Sequence, residues 1–417
     1  MNEVTMEPGT IWLLLCTALV IFMTPGLAFF YGGLVKAKSV VSMMMLSFGA
    51  LGLISVLWIL YGYNMGVLSD SGDDLIPGVL GNPFGADGND FGLYTLVKSD
   101  GNALGWVAFG GSFAIITTAL ISGAIADRAR FFPWMLFAGI WATICYFPVQ
   151  GWVWAFNDDG MTGWIGKFGF GDTSTQDWAG GTAVHINAGA AALALALVLG
   201  KRVGFSRDLQ KPHNVPLVLI GAAILWFGWF GFNTGAAVDD TGASVIFLNT
   251  LGAPAAAILG WILVEHFKNG KATSVGAASG AVAGLVAITP ACAFLTPLTA
   301  ILLGLVVGAI CALAIELKFK LGFDDSLDVV GIHLVGGLVG CLYLGFFSRD
   351  TGLFTGGGNL DQLGTQAVTA FSVLAFSFIV AYVVGTIIEK TIGFRLKEHD
   401  EAAGIDSVLH GEEGYAL

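Results

Sequence analysis

Long apolar stretches constrain this 417-residue chain more than any other feature of its sequence. A helix needs about 20 apolar residues to cross the hydrocarbon of a bilayer, and a pass along the chain finds eleven such stretches. We predict membrane-spanning helices over 10–33, 41–67, 103–127, 132–155, 179–200, 215–237, 243–267, 273–292, 296–317, 329–348 and 364–389.

The composition supports the same interpretation. Hydrophobic residues make up 55% of the chain and charged residues only 12%, which is unusual for a soluble domain. The predicted fold class is an all-α integral membrane protein, with 60 glycines that let helices pack closely in lipid. The five cysteines have no CxxC spacing, so neither disulfides nor a metal site are expected. We likewise predict that the protein is not an enzyme and that it has neither a cofactor nor a nucleic-acid partner.

The distribution of Lys and Arg predicts the orientation in the membrane. Eleven spans place the two termini on opposite sides. If the N-terminus lies outside, all of the 18 basic residues except Lys98, Lys167 and Arg349 fall on the inner face, as the positive-inside rule requires. We therefore predict an outer N-terminus, an inner C-terminus, a membrane domain over 1–390 and a cytoplasmic tail over 391–417.

Two similar segments predict an internal repeat. DWAGGTAVHINAGAAAL begins at Asp177 and DSLDVVGIHLVGGLVG begins at Asp325, and each has a histidine eight residues after its aspartate. Five spans separate the segments, so the halves (about 10–200 and 215–348) form an inverted repeat, with helix 364–389 added. His185 and His333 would then be symmetry mates, although a single histidine in a helix is about as often a packed residue.

Counting residues does not by itself bring the two histidines together. Each lies about six residues, or roughly 9 Å, from the start of its helix. In a hydrocarbon core of about 30 Å they would be roughly 12 Å apart along the membrane normal unless both helices begin well below the surface. Asp177, with Gly180 and Gly181 after it, is suited to cap such a recessed start.

Several ordered motifs run from the first predicted helix to the end of the chain. They are PGLAFFYGGLVKAKSV (25–40), DWAGGTAVHINAG (177–189), GWFGFNTG (228–235), ASGAVAGLVAITPAC (278–292), DVVGIH (328–333) and GIDSVLHGEEGY (404–415). Together they resemble the motifs of the ammonium transporter family of bacteria, plants and fungi. This resemblance implies eleven membrane helices, an outer N-terminus, inverted five-helix repeats, a plasma-membrane location and a homotrimer with one pore per subunit.

The resemblance also assigns roles to residues near the outer mouth. Phe113 and Trp154 match the aromatic site that recruits ammonium, where a cation over a ring gains about 2 kcal/mol. Family members often have a serine in this site, but this chain has Ala236, which removes a hydrogen-bond acceptor. Asp177 matches an aspartate near the same site, for which capping is the favoured role.

Deeper in the chain, the resemblance identifies a gate and a proton relay. Phe113 and Phe232 match the stacked pair that closes the pore, and Trp229 matches a pore-lining tryptophan. His185 and His333 match the paired pore histidines, which can share one hydrogen and relay a proton.

The predicted function is transport of ammonium, deprotonated at the gate and conducted as neutral ammonia while its proton passes the two histidines. Net transfer of charge is expected, although a passive, electroneutral ammonia channel would use the same residues. A membrane redox protein with haem between the two histidines is a second alternative, and an ammonium sensor is a third. The sensor ranks low because sensory relatives usually carry a further signalling domain. The tail motif implies regulation, with a PII-type signalling protein as a partner at the cytoplasmic face.

Overall fold

The computed structural model describes residues 6–68, 73–86, 88–98, 102–157, 160–205 and 211–415. Within these residues an apolar helix lies in each of the predicted stretches. In chain order they are α1 (Pro8–Leu34), α2 (Ala37–Gly66), α3 (Ala103–Ile125), α4 (Phe131–Trp154), α5 (Gly181–Leu199), α6 (Val215–Thr234), α7 (Asp240–Asn269), α8 (Ser274–Ile288), α9 (Pro297–Leu321), α10 (Val330–Phe347) and α11 (Asp361–Thr391).

Ten of these helices in the described chain are long and apolar enough to cross a membrane by length and composition. The remaining helix, α8, has 15 residues and ends earlier than the predicted span of 273–292. It ends early because Thr289 and Pro290 turn away, and their carbonyls accept hydrogen bonds from the Ala179 and Trp178 amides at 3.2 Å each. The end of α8 is thereby joined to the segment that precedes α5.

A matching pair of hydrogen bonds joins the end of α3 to the segment that precedes α10. The Ser326 amide donates to the Ala124 carbonyl at 3.2 Å, and the Leu327 amide donates to the Gly123 carbonyl at 3.1 Å. Each histidine-bearing helix therefore begins against the end of a helix from the other half of the chain.

Small residues bring neighbouring helices into close contact. A Cβ at Gly304 or Gly308 of α9 would lie 2.1 Å from the carbonyl oxygen of Ala253 or Ala257 in α7. In α8, a Cβ at Gly284 would lie 2.6 Å from atoms of the same helix α7. Contacts this short exclude any side chain larger than hydrogen, as expected for close helix packing in lipid.

Shorter elements lie between and after the long helices. Short 3₁₀ turns cover Phe91–Leu93 and Leu96–Lys98, and a short helix covers Trp164–Lys167. Strands β1 (Phe156–Asn157) and β2 (Gly160–Met161) pair antiparallel.

The C-terminal segment contains α12 (Glu398–Ala403) and a π-helical turn (Asp406–His410). The Asp406 carboxylate accepts hydrogen bonds from the Val41 and Ser42 amides at the start of α2, at 3.0 and 2.7 Å. Tyr415 contacts His213 before α6. The predicted tail thus lies across this face of its own chain, and its last two positions, 416–417, lie outside the described residues.

Candidate functional site: a histidine pair beside two stacked phenylalanines

The structure brings His185 and His333 into direct contact. Their Nδ1 atoms are 3.2 Å apart, and both side chains are buried. Each histidine lies in a π-helical first turn, Gly181–Ile186 in α5 and Val330–Leu334 in α10, a local widening that is frequent at functional sites. The separation expected from counting is absent because both helices begin deep in the molecule.

The carboxylate of Asp177 caps the recessed start of α5. Its Oδ1 accepts from the Gly180 and Gly181 amides at 3.0 and 2.6 Å, and its Oδ2 accepts from the Thr182 and Ala183 amides at 3.0 Å each. These are donors that a helix start leaves without intrahelical partners. The carboxylate therefore faces backbone amides, and the structure does not place it in the lining of the cavity beside the histidines.

Asp325 caps α10 in the equivalent way. Its Oδ1 accepts from the Val329 amide at 3.1 Å, and its Oδ2 accepts from the Val330 amide at 2.7 Å. Asp325 was not among the predicted site residues, although its position eight residues before His333 is visible in the sequence. The matched aspartates hold the two histidine-bearing turns at their depth.

Two stacked phenylalanines lie next to the histidines. The ring centroids of Phe113 and Phe232 are 4.1 Å apart at an angle of 23°, and the Phe232 ring lies 6.3 Å from that of His185. Phe109 packs against Phe113 with 4.9 Å between ring centroids and was missed by the sequence analysis, despite belonging to the same helix turn. The stacked pair therefore lies next to the ring of His185.

Trp154 packs against Phe113 of this stacked pair. Its ring is 5.7 Å from Phe113 at 86°, and its indole N–H donates to the Asp177 carbonyl at 2.8 Å. That hydrogen bond fixes the orientation of the half-buried ring. Ala236 is half-buried just beyond the end of α6, four residues after Phe232.

Trp229 supports the ring of His185. The two rings are stacked with centroids 5.4 Å apart at 21°. The indole N–H of Trp229 donates to the Thr289 hydroxyl at 2.8 Å. Thr289, at the end of α8, was not predicted as a site residue, and only the quoted motif ASGAVAGLVAITPAC contains it.

A narrow cavity of about 10 Å³ lies beside the two histidines, and its volume is about the space of a single water molecule. The Nε2 atom of His185 is buried and has no hydrogen-bond partner, so it is free to meet a small molecule. The cavity is otherwise apolar, and its lining consists of Met23, Leu27, Phe30, Ile116, Leu120, Val184, His185, Leu225, Trp229, Phe232, Val282 and His333.

This geometry does not fit haem ligation. A metal held between two imidazole nitrogens needs about 2 Å to each of them, whereas 3.2 Å between the Nδ1 atoms is a hydrogen-bond distance. Among the described residues, no group of three or more His, Cys, Asp or Glu side chains could hold a metal ion.

Comparison with known proteins identifies the family. The model of the Ammonium Transporter Family matches residues 11–415. The chain belongs to the ammonium transporter family. This family member is 50% identical over 434 residues to a protein of Mycobacterium bovis named "Ammonium transporter", covering 97% of this chain and 90% of the relative. Its relatives are thus named as transporters and not as enzymes, in agreement with the prediction.

Solved structures show the same fold for this family member. One titled "Sensor Amt Protein" has a TM-score of 0.87 at 25% identity, covering 98% of this chain and 100% of that one. The crystal structure of Saccharomyces cerevisiae Mep2 has a TM-score of 0.81 at 32% identity, covering 95% of this chain and 89% of that one. The chain is therefore a multi-pass membrane protein of the Amt and Mep structural group.

Proposed function

We propose that this protein transports ammonium across the plasma membrane by deprotonating it and conducting ammonia past the two histidines. The observation that carries the proposal is the hydrogen-bonded pair of His185 and His333 within a narrow apolar cavity. Ammonium, like a lysine amine, is almost fully protonated at neutral pH. A dry pore would therefore have to remove its proton or accept its charge.

Recruitment is assigned to Phe113 and Trp154. Their rings meet edge to face, so a cation can approach the open face of Trp154 while its N–H stays bonded to the Asp177 carbonyl. A partly desolvated cation over an aromatic face gains about 2 kcal/mol, which offsets part of the lost hydration. Ala236 supplies no hydroxyl here, so this chain relies on the aromatic rings.

Energetics favour deprotonation at the gate formed by Phe113 and Phe232. Moving an ammonium-sized ion into a medium of low dielectric constant costs on the order of 20 kcal/mol by the Born estimate. Neutral ammonia avoids most of that cost. The same requirement excludes potassium, which has no proton to lose.

The proton follows the histidine pair. One Nδ1–H donates to the other Nδ1, so one ring presents a free Nε2 lone pair and the other presents an Nε2–H. A proton added at one end of this chain can therefore leave at the other. Because the proton and the ammonia both cross, uptake moves one positive charge and is driven by an inside-negative potential.

Ammonium-induced current in reconstituted liposomes tests the proposal. We expect wild-type protein to give a current with ammonium and none with potassium, and His185→Ala or His333→Ala to change rate or selectivity. His266→Ala is the matched control because that histidine is exposed at the end of α7. Alkalinisation of the lumen without current would show the electroneutral channel, and binding without either signal would show a sensor, the role named for one structural neighbour.

For the membrane arrangement we propose eleven spans, including the short α8, with the N-terminus outside and the C-terminus inside. Support for an inverted repeat comes from the paired aspartate caps and the paired contacts before α5 and α10. Residues 1–390 would form the membrane domain as a homotrimer, and 391–417 the cytoplasmic regulatory tail.

A PII-type signalling protein is the proposed partner of the cytoplasmic face. A pull-down with and without nucleotide effectors tests this interaction.

A further inference from the structure

A second and larger cavity lies behind the helix that carries His333. It has a volume of about 330 Å³, which is within the usual range of about 300–1,000 Å³ for ligand sites. Leu193 and Leu197 of α5 form one wall, Ala314 of α9 forms another, and Val330 and Val335 of α10 form the floor. The pore cavity is lined by a different set of residues, so the two cavities are separate.

The mouth of this second cavity opens onto an exposed apolar surface. Three leucines that line it are largely uncovered, with exposed fractions of 48% at Leu197, 42% at Leu317 and 72% at Leu321. Apolar surface of this kind is stable when lipid chains cover it.

The polar groups in the wall already have partners. The Lys318 ammonium donates to the Asp325 carbonyl at 2.9 Å and to the Asp328 carboxylate at 2.6 Å. The Asp325 carboxylate is occupied by the amides at the start of α10. A polar ligand would lose its hydrogen bonds to water and find few in return, so the cavity suits a hydrocarbon chain.

Positive charge lies beside the mouth. Lys320 is exposed on the last turn of α9, and Lys201 is exposed just after α5. The Lys201 ammonium lies 3.6 Å from where a Cβ of Gly322 would be. Among the described residues, neither lysine takes part in an ion pair. The Lys201 ammonium lies 5.7 Å from the centroid of the Phe205 ring, a contact that leaves its charge without a carboxylate partner in the described chain. A negatively charged headgroup therefore finds two such cations next to an apolar cavity.

We propose that this cavity binds one anionic phospholipid, with an acyl chain between α5, α9 and α10 and its phosphate beside Lys201 and Lys320. The assignment to the inner leaflet rests on the proposed orientation, but the site itself does not. The bound chain would pack against Val330 and Val335 on the helix that holds His333.

Lipid binding to delipidated protein in detergent tests the proposed contact between the anionic headgroup and the two lysines. Dioleoylphosphatidylglycerol is titrated, and bound lipid per chain is counted by native mass spectrometry, with dioleoylphosphatidylcholine in parallel. We expect one site per chain that prefers the anionic lipid. Lys201→Gln and Lys320→Gln should each weaken binding about fivefold, whereas Lys271→Gln, exposed at the start of the segment before α8, should not. Equal affinity for both lipids would overturn the proposed headgroup contact.

Filling the cavity tests the acyl-chain site. Ala314→Phe should abolish that site and remove the rise in melting temperature that the anionic lipid gives wild-type protein. Leu313→Phe is the control because Leu313 is the neighbouring residue, 52% exposed, and does not line the cavity. If the Ala314→Phe variant does not fold, Leu197→Phe at the mouth is the alternative variant that fills the cavity. Undiminished binding to a folded filled variant would show that the lipid binds elsewhere, and none of these readouts depends on transport.

Discussion

Ala236 places a methyl group four residues after Phe232, at the position where the family resemblance in the sequence predicts a serine. Phe232 stacks on Phe113, whose ring in turn meets that of Trp154 edge to face. If these rings recruit ammonium, the missing hydroxyl limits the affinity of the site and not the chemistry below the gate.

We therefore expect Ala236→Ser to strengthen ammonium recruitment. A hydrogen bond to a charged group contributes about 1.5–3 kcal/mol, so the half-saturating ammonium concentration should fall by about tenfold or more. The concentration dependence of the liposome current measures this value. Ala237→Ser is the control, and an unchanged half-saturating concentration would contradict the role given to this position.

At the level of elements, two buried aspartates set the depth of α5 and α10. Asp177 accepts four backbone amides, whereas an ordinary N-cap accepts one or two. Apolar helices in lipid have few other ways to satisfy amides at a recessed start, so these carboxylates are needed where a surface helix would use water.

Asp177→Ala should lower the free energy of unfolding by about 2 kcal/mol, the upper end of the range for lost caps. Asp177→Asn should cost less because one acceptor oxygen remains. Melting temperatures in detergent compare these variants with Asp239→Ala, which removes an exposed cap of α7 held by one bond to the Gly242 amide at 2.8 Å. An equal fall in melting temperature for the Asp177→Ala and Asp239→Ala variants would show that the buried cap stabilises the protein no more than the exposed one.

The C-terminal segment is a second element whose position depends on side-chain contacts. The Tyr415 hydroxyl lies 2.8 Å from His213 Nε2 and 3.2 Å from Asn214 Nδ2. His213 Nδ1 also contacts the Val35 carbonyl at 2.7 Å, so the tail touches the junction between α1 and α6.

Tyr415→Phe should loosen this segment, since it removes both hydrogen bonds of the hydroxyl, each with a net contribution of about 1 kcal/mol. We expect trypsin to cut at the exposed Lys397 several times faster than in wild-type protein. The control is Tyr382→Phe, on an exposed position of α11. Cleavage at the wild-type rate would mean that other contacts hold the tail.

For the whole molecule, a buried ion cluster joins the two halves. Arg202, after α5, contacts Asp324, before α10, with 2.7 Å between Nη2 and Oδ1. The Arg202 Nη1 also lies 3.3 Å from Asp127, and Arg128 donates to the Asp324 carbonyl at 2.6 Å. Burial alone would raise the pKa of Asp324, but hydrogen bonds and charge from Arg202 hold that pKa below its ordinary value.

Because its pKa is lower in the folded than in the unfolded protein, ionised Asp324 stabilises the fold at pH values above the pKa of the unfolded state. This stabilisation is lost as the pH falls through the pKa of the folded state. Asp324→Asn should cost about 3–5 kcal/mol near neutral pH because it removes the charge of the buried carboxylate that both Arg202 and Arg128 contact. The difference in melting temperature between wild type and variant should narrow below about pH 4. A difference that stays constant down to pH 2 would contradict this linkage.

The helical membrane class could be predicted from the chain alone. Apolar stretches must satisfy their backbone within lipid, and a helix does so locally, so most helix bounds agree with prediction to within a few residues. The end of α8 differs because the Thr289 and Pro290 carbonyls bond to amides before α5, a contact that no local pattern encodes.

The histidine motifs are also visible in the sequence, but their contact is not. His185 and His333 are 148 residues apart, and counting along ideal spans separates them. The recessed starts of α5 and α10 bring them together, through aspartate caps and hydrogen bonds to the ends of α8 and α3. Local chemistry decides which residues form helices and which are ionisable, whereas long-range backbone contacts decide the depth at which those residues meet.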